Sequence, residues 1–109
     1  GVAENTGPLT IYDDVAVKAT PTQGSCGTAF TFVATGTLRG VGKLVYRWER
    51  SDGGTSPDES VDITSDEGSF RLQESWKILG PHSPTATMTF HILRPSTKTA
   101  SASVSYTCA

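Results

Sequence analysis

The chain contains 109 residues, which is enough for one hydrophobic core and too few for two domains of ordinary size. Nine basic and eleven acidic side chains give a formal net charge of -2, so the sequence lacks the basic surface that nucleic acids require as partners. It also lacks an uninterrupted apolar segment long enough to span a membrane, and any membrane anchor would have to lie outside this chain.

The first strand is predicted to follow a flexible arm or linker. We assign residues 1–8 to this arm and residues 9–109 to a single domain. Apolar residues then recur at every second position, which is typical of a half-buried strand, but Asp13 next to Asp14 interrupts the pattern and predicts a kink. The residues that share the inward position are Leu9, Ile11, Val15, Val17 and Ala19.

Two strongly alternating segments come next. Residues 28–38 and 43–50 each place large apolar side chains on one face, and a short glycine-containing turn separates them. Two such strands joined by a short turn predict a β-hairpin. The inward residues are Phe30, Phe32, Ala34, Gly36 and Leu38 in the first strand, and Leu44, Tyr46 and Trp48 in the second.

The middle of the chain combines a loop with two further strands. Residues 51–58 are rich in Gly, Asp, Ser and Pro and predict a loop, and Val61 and Ile63 then mark a short strand. From 69 to 79 another strand places Trp76 among its inward residues. Glu74 interrupts that set, so we predict a bulge between 73 and 75 that turns the carboxylate outward.

The last third of the chain predicts two more strands. Residues 80–84 form a proline-containing turn, since proline lacks the main-chain donor that a central strand needs. Residues 85–93 and 100–108 both alternate clearly, and Cys108 belongs to the inward set of the last strand or to its margin. Seven strands separated by turn signals predict an all-β antiparallel sandwich.

The two cysteines, Cys26 and Cys108, lie far apart in the sequence and lack the clustered spacing of a zinc site. We predict that they form a disulfide that closes most of the chain. The alternative is a pair of free thiols in a cytosolic protein, where disulfides rarely persist.

An ordered set of residues between Cys26 and Cys108 resembles the immunoglobulin-like modules of bacterial extracellular proteins of the actinobacterial type. The resemblance implies a seven-stranded antiparallel immunoglobulin-like sandwich that is exported and non-catalytic. The cysteines differ from those of antibody domains, which lie in mid-strand on opposing sheets. The matching elements are Cys26 ahead of Phe30 and Phe32, then Tyr46 and Trp48, the turn Ser51, Asp52 and Gly53, a later Trp76, and a closing Cys108.

Catalytic chemistry finds little support in the sequence. The only histidines are His82, in a predicted turn, and His91, at an outward strand position; both are predicted to be exposed polar residues, with a pH-sensitive contact as the alternative. Neither a nucleophile elbow nor a phosphate-binding loop is present. We therefore predict that the protein is not an enzyme and uses no cofactor.

The most unusual local feature is acidic. Seven carboxylates and one arginine lie between Glu49 and Glu67, which gives this segment a charge of -6. We interpret it first as a solvated edge of the sandwich, with contact to a basic partner or to calcium as alternatives; the spacing of an EF-hand is absent, so no metal site is assigned. The residues proposed for such contacts are Asp52, Asp58, Glu59, Asp62, Asp66 and Glu67.

Two functional hypotheses follow from these observations. The first is a secreted or cell-surface module that spaces, adheres or presents other parts of an envelope protein. The alternative is a ligand-sensing or partner-binding ectodomain of a membrane-anchored receptor or kinase. In both cases the expected partner is another protein or a cell-wall component.

Overall fold

The computed structural model describes residues 8–64, 68–78 and 85–107, apart from the side chain of Asp13. These residues form eight β-strands and no helix, so none of them lies in a helix that could cross a membrane. The strands are β1 (Thr10–Thr20), β2 (Gln23–Ser25), β3 (Ala29–Arg39), β4 (Gly42–Arg50), β5 (Glu59–Ile63), β6 (Ser69–Lys77), β7 (Thr85–Arg94) and β8 (Lys98–Thr107).

The strands form two sheets. One contains three strands in the order β1-β3-β6, and the other contains five in the order β2-β8-β7-β4-β5. The predicted all-β sandwich is therefore confirmed. The described residues contain one strand more than the seven predicted, because the short β2 pairs in parallel with β8 through its main chain and has no alternating apolar pattern.

The inward faces of the two sheets pack together in one hydrophobic core. Alternation in β3 is nearly complete, with Phe30, Phe32, Ala34 and Leu38 fully buried, as the sequence predicts. Both tryptophans are core residues as well, since Trp48 is 2% exposed and Trp76 is 7% exposed. By contrast, Tyr12 is 48% exposed, in agreement with its position outside the inward set of β1.

The predicted hairpin between β3 and β4 is wrong. β3 pairs with β1 and β6, whereas β4 pairs with β5 and β7 in the other sheet. The chain crosses between the sheets at the turn before β4, where Gly40 has a φ of +85°, a conformation that favours glycine. Alternation predicts which face of each strand is buried. The inward faces of β3 and β4 are buried equally well whether the two strands pair side by side or lie in opposite sheets across the core.

The two predicted irregularities have different outcomes. β1 changes register between Tyr12 and Ala16, which confirms the kink near the paired aspartates. β6, in contrast, pairs with β3 without any shift, so the predicted bulge at 73–75 is wrong. Glu74 keeps its inward position and is half-buried, because β6 lies at the edge of its sheet, where an inward carboxylate still reaches solvent.

The proposed arm lies almost entirely outside the described residues, since the structure describes the chain from Pro8 onward. Pro8 forms a bridge with Val41. The predicted turn at 80–84, including His82, also lies outside the described residues.

Candidate functional site

A tight turn between β4 and β5 forms one end of the sandwich. The Arg50 N–H donates to the carbonyl oxygen of Gly54 (2.7 Å between N and O), and the Gly53 N–H donates to the carbonyl oxygen of Arg50 (3.0 Å). The Asp52 carboxylate accepts the Gly54 N–H at 2.9 Å. The predicted loop is therefore an ordered turn that fixes the direction of the Asp52 side chain.

The side chain of Arg50 is held by this turn against the core. Its Nε donates to Asp52 Oδ1 (3.1 Å), and its Nη2 lies 3.0 Å from Asp52 Oδ2. The guanidinium carbon lies 5.0 Å from the ring centroid of Trp76, which is within the range of a cation–π contact. A Cβ on Gly54 would lie 2.7 Å from Nε and Nη2 of Arg50, so a glycine at this position leaves room for the guanidinium group beside Trp76.

Two small clefts adjoin this contact. Arg50 lines the first, about 200 Å³ in volume, together with Trp48, Ser56 and Glu74. Trp76, which Arg50 covers, lines the second, about 280 Å³ in volume. Pockets for drug-sized ligands usually measure about 300 to 1,000 Å³. Both clefts are therefore smaller than a typical pocket for a drug-sized ligand.

The acidic residues proposed for partner or calcium contact do not converge on one point. Asp52 is used within the turn, as described above, and Asp58 is exposed in the loop before β5. Asp62 is exposed on β5 and lies 3.6 Å from Lys43 Nζ. Asp66 and Glu67 lie outside the described residues. Within the described ranges, no group of three or more His, Cys, Asp or Glu side chains is placed to hold a metal ion.

The position of β5 agrees with the interpretation as an acidic edge. β5 is the last strand of the five-stranded sheet, and its Glu59 is the cross-strand partner of Tyr46. Burial raises the pKa of the half-buried Tyr46 above 10.0, and the charges of Glu59 and Glu74 raise that pKa further. The side of the sandwich between β5 and β6 therefore carries a tyrosine with a carboxylate contributed from each sheet.

The outer face of the five-stranded sheet contains a polar cluster that the sequence did not indicate. His91 Nε2 lies 2.7 Å from Glu49 Oε1, and the His91 side chain is only 19% exposed. His91 is the cross-strand neighbour of Arg47, whose Nε is buried without a hydrogen-bond partner among the described residues. His91 therefore has the outward position that the sequence predicts, but it is partly buried instead of exposed. Only the β4–β7 register could have shown the contact, because it brings β4 side chains next to His91.

Cys26 lies where the chain passes from β2 toward β3. Its N–H donates to the carbonyl oxygen of Thr107 at 3.1 Å, and Ser25 is paired with Thr107 in the parallel β2–β8 register. Cys26 is half-buried and is not a free thiol. Cys108 lies outside the described residues, so the pairing of the two cysteines stays a prediction.

Comparison with known proteins gives a match of fold. No family model and no curated protein matches the chain. Among solved structures, the chain is similar to the CARDB domain of a Pyrococcus furiosus protein, which was crystallised in complex with di-metal ions. The TM-score is 0.67 at 13% sequence identity, and the match covers 99% of this chain and 100% of the other. This similarity supports a β-sandwich module, but not the actinobacterial type that the sequence suggested.

Proposed function

We propose that the protein is a non-catalytic extracellular module that spaces, adheres or presents other parts of an envelope protein. The observation that carries the proposal is the structural match over the full length of both chains, because the same two-sheet sandwich occurs as a separate domain of another protein. Fold alone does not determine function, so the proposal depends also on how the surface groups of this chain are used.

The turn between β4 and β5 is held in place by an ion pair, a cation–π contact and hydrogen bonds. Arg50 and Asp52, which line the two clefts, are paired with each other, and Arg50 also covers Trp76. Ser56 accepts the Trp48 N–H at its Oγ (2.9 Å) and donates its own N–H to the Trp48 carbonyl oxygen (2.8 Å), so the loop is tied to β4 on both sides. A rigid end suits a domain that transmits force or holds its neighbours at a fixed separation.

Export is proposed from the cysteines. The hydrogen bond from the Cys26 N–H to the carbonyl oxygen of Thr107 holds Cys26 next to Thr107. Thr107 directly precedes Cys108 in the sequence. A disulfide between the two cysteines would link the connection between β2 and β3 to the residue that follows β8, and it would persist in an oxidising compartment. The predicted bond supports the proposed location outside the cytosol, at the cell surface.

The di-metal complex of the Pyrococcus domain is not extended to this chain. At 13% identity the ligands of one domain carry no information about the other. The carboxylates of the described acidic segment are separated, and two of them are paired with Arg50 and Lys43. We therefore assign no metal to the proposed function.

Replacement of the module in its parent protein tests the proposal. The parent is expressed with residues 9–109 exchanged for an unrelated immunoglobulin-like domain of similar length, and its surface display and function are measured. If the module acts only as a spacer, the exchanged parent protein keeps its function. If the module adheres to or presents a partner, the parent is still displayed but loses binding. Detection of an enzymatic or metal-dependent activity in the isolated chain would contradict the proposal.

A further inference from the structure

The main-chain groups of β6 point alternately toward β3 and toward the outer edge of the sheet. The carbonyl oxygen of Gly68 accepts the Leu38 N–H at 3.0 Å, and that of Ile78 accepts the Gly27 N–H at 2.6 Å. Even-numbered residues therefore direct their main-chain groups toward β3 at both ends of β6. Since the register between the two strands has no shift, the same holds along the whole strand.

It follows that the odd-numbered residues of β6 point their N–H and C=O groups away from β3. All five have exposed side chains, and β6 pairs only with β3 among the described strands. At this edge of the sandwich, ten main-chain hydrogen-bonding groups thus point away from β3 and pair with no other described strand. The residues are Ser69, Arg71, Gln73, Ser75 and Lys77.

The other three edge strands are less suited to pairing. β1 is interrupted by a change of register between Tyr12 and Ala16, β2 has three residues, and β5 has five. β6 has nine residues in regular register and contains no proline. A long and regular free edge is a template for another strand, and most proteins shorten, bend or cover such an edge.

We propose that β6 binds an extended segment of a partner protein by strand addition, so that the three-stranded sheet gains a fourth strand. Main-chain hydrogen bonds supply affinity in this mode of recognition, and alternate side chains supply specificity. The inference rests on the proposed role as a binding or presenting module and names the surface and the partner chemistry for it.

Charge decides which partner fits. The outward side chains of β6 include Arg71 and Lys77, which favour acidic residues at the facing positions of the added strand. The inward side chains include the half-buried Leu72 and Glu74, which favour an apolar residue and a cationic residue. The partner segment therefore alternates between acidic outward positions and an apolar or basic inward position.

A second copy of β6 is a poor occupant of this edge. An antiparallel copy centred on Leu72, Gln73 or Glu74 would place basic side chains of one strand opposite or diagonal to basic side chains of the other. Like charges in these positions destabilise a pair of strands. A segment of complementary charge avoids this repulsion.

The test uses the full chain and a designed peptide, acetyl-Glu-Thr-Thr-Lys-Thr-Val-Glu-Thr-amide. Antiparallel pairing places its first residue opposite Lys77, its fourth opposite Glu74 and its seventh opposite Arg71. Binding is followed by NMR titration of the backbone amides. We expect new protection from hydrogen exchange at the odd-numbered β6 amides and no change at the even-numbered ones.

Main-chain pairing is tested by matched variants. Gln73→Pro removes an N–H that points to solvent and is expected to weaken binding by at least about tenfold, whereas Gln73→Ala keeps the affinity of the native chain. N-methylation of the fifth peptide residue, whose N–H faces Gln73, abolishes binding, and N-methylation of the fourth spares it. The peptide pair decides the question if the proline variant does not fold.

Charge recognition is tested by a double reversal. Arg71→Glu weakens binding of the original peptide, and a peptide with Lys at its seventh position restores it. Absence of binding at millimolar peptide, or equal binding by the two N-methyl peptides, overturns the proposal. These titrations report only on the β6 edge, whereas the module exchange reports on the parent protein, so failure of one is distinguishable from failure of the other.

Discussion

Replacement of Trp48 by alanine tests the core that both sheets share. Trp48 is 2% exposed, and its ring centroid lies 4.8 Å from that of Phe90 on the neighbouring strand β7. A buried aromatic side chain removes about 150 to 250 Å² from water, which at about 25 cal/mol per Å² corresponds to about 4 to 6 kcal/mol as an upper estimate. Measured aromatic-to-alanine substitutions in cores cost about 3 to 5 kcal/mol. We therefore expect Trp48→Ala to lower the free energy of unfolding by about 4 kcal/mol.

Urea denaturation followed by fluorescence measures this loss, because Trp76 remains as the reporter in the variant. Tyr12→Ala is the matched control: Tyr12 is 48% exposed, and its replacement is expected to change stability by no more than about 0.5 kcal/mol. Iodide should quench native tryptophan fluorescence weakly. A loss below about 1 kcal/mol for Trp48→Ala, together with full quencher access in the native chain, would refute the assigned strand faces.

Three further predictions concern the cysteines, Tyr46 and the acidic edge. Reduction of the predicted Cys26–Cys108 bond should lower stability by about 4 to 5 kcal/mol in the chain-entropy model, and peptide mapping that finds both thiols free in exported protein would contradict the bond. Because the folded-state pKa of Tyr46 is raised, its contribution to stability is complete below pH 10.0 and is lost as the pH rises through the folded-state pKa; absorbance titration of tyrosinate should show a late transition that Glu59→Gln moves to lower pH. Neutralisation of three carboxylates on the acidic edge should leave the fold intact, and calcium should not raise the melting temperature of the native chain. A calcium-dependent rise reversed by chelator would contradict the assignment of a solvated edge. The three substitutions are Asp58→Asn, Glu59→Gln and Asp62→Asn.

Alternation of side chains predicted the buried faces well and the strand neighbours poorly. The inward residues of β3 were identified correctly, and β7 alternates as predicted, because each strand has one face against the core and one against solvent. The same pattern cannot distinguish two strands that pair from two that face each other across the core, which is why the β3–β4 hairpin was wrong. β2 was missed because three residues in a parallel edge pair have no periodic signal.

The polar contacts of the candidate site could be predicted less well than the buried strand faces, because these contacts depend on tertiary structure. The sequence indicated an acidic segment, but it could not show that Asp52 is used by Arg50 or that Asp62 lies near Lys43. Glu74 was predicted to turn outward because a carboxylate is costly in a core. At the edge of a sheet that cost is reduced, and the residue stays inward.

The crossing between β3 and β4 has a consequence for how the chain folds. Consecutive strands pair directly only in β4–β5 and β7–β8 among the described elements, while β1–β3, β3–β6, β4–β7 and β2–β8 join strands separated by other strands. Most of the sheet thus requires closure of long loops before its contacts can form, and folding slows as the sequence separation of contacts grows. We expect refolding of the oxidised chain on the scale of about milliseconds to seconds, which is typical of sandwiches of this size and slower than a helical domain of equal length.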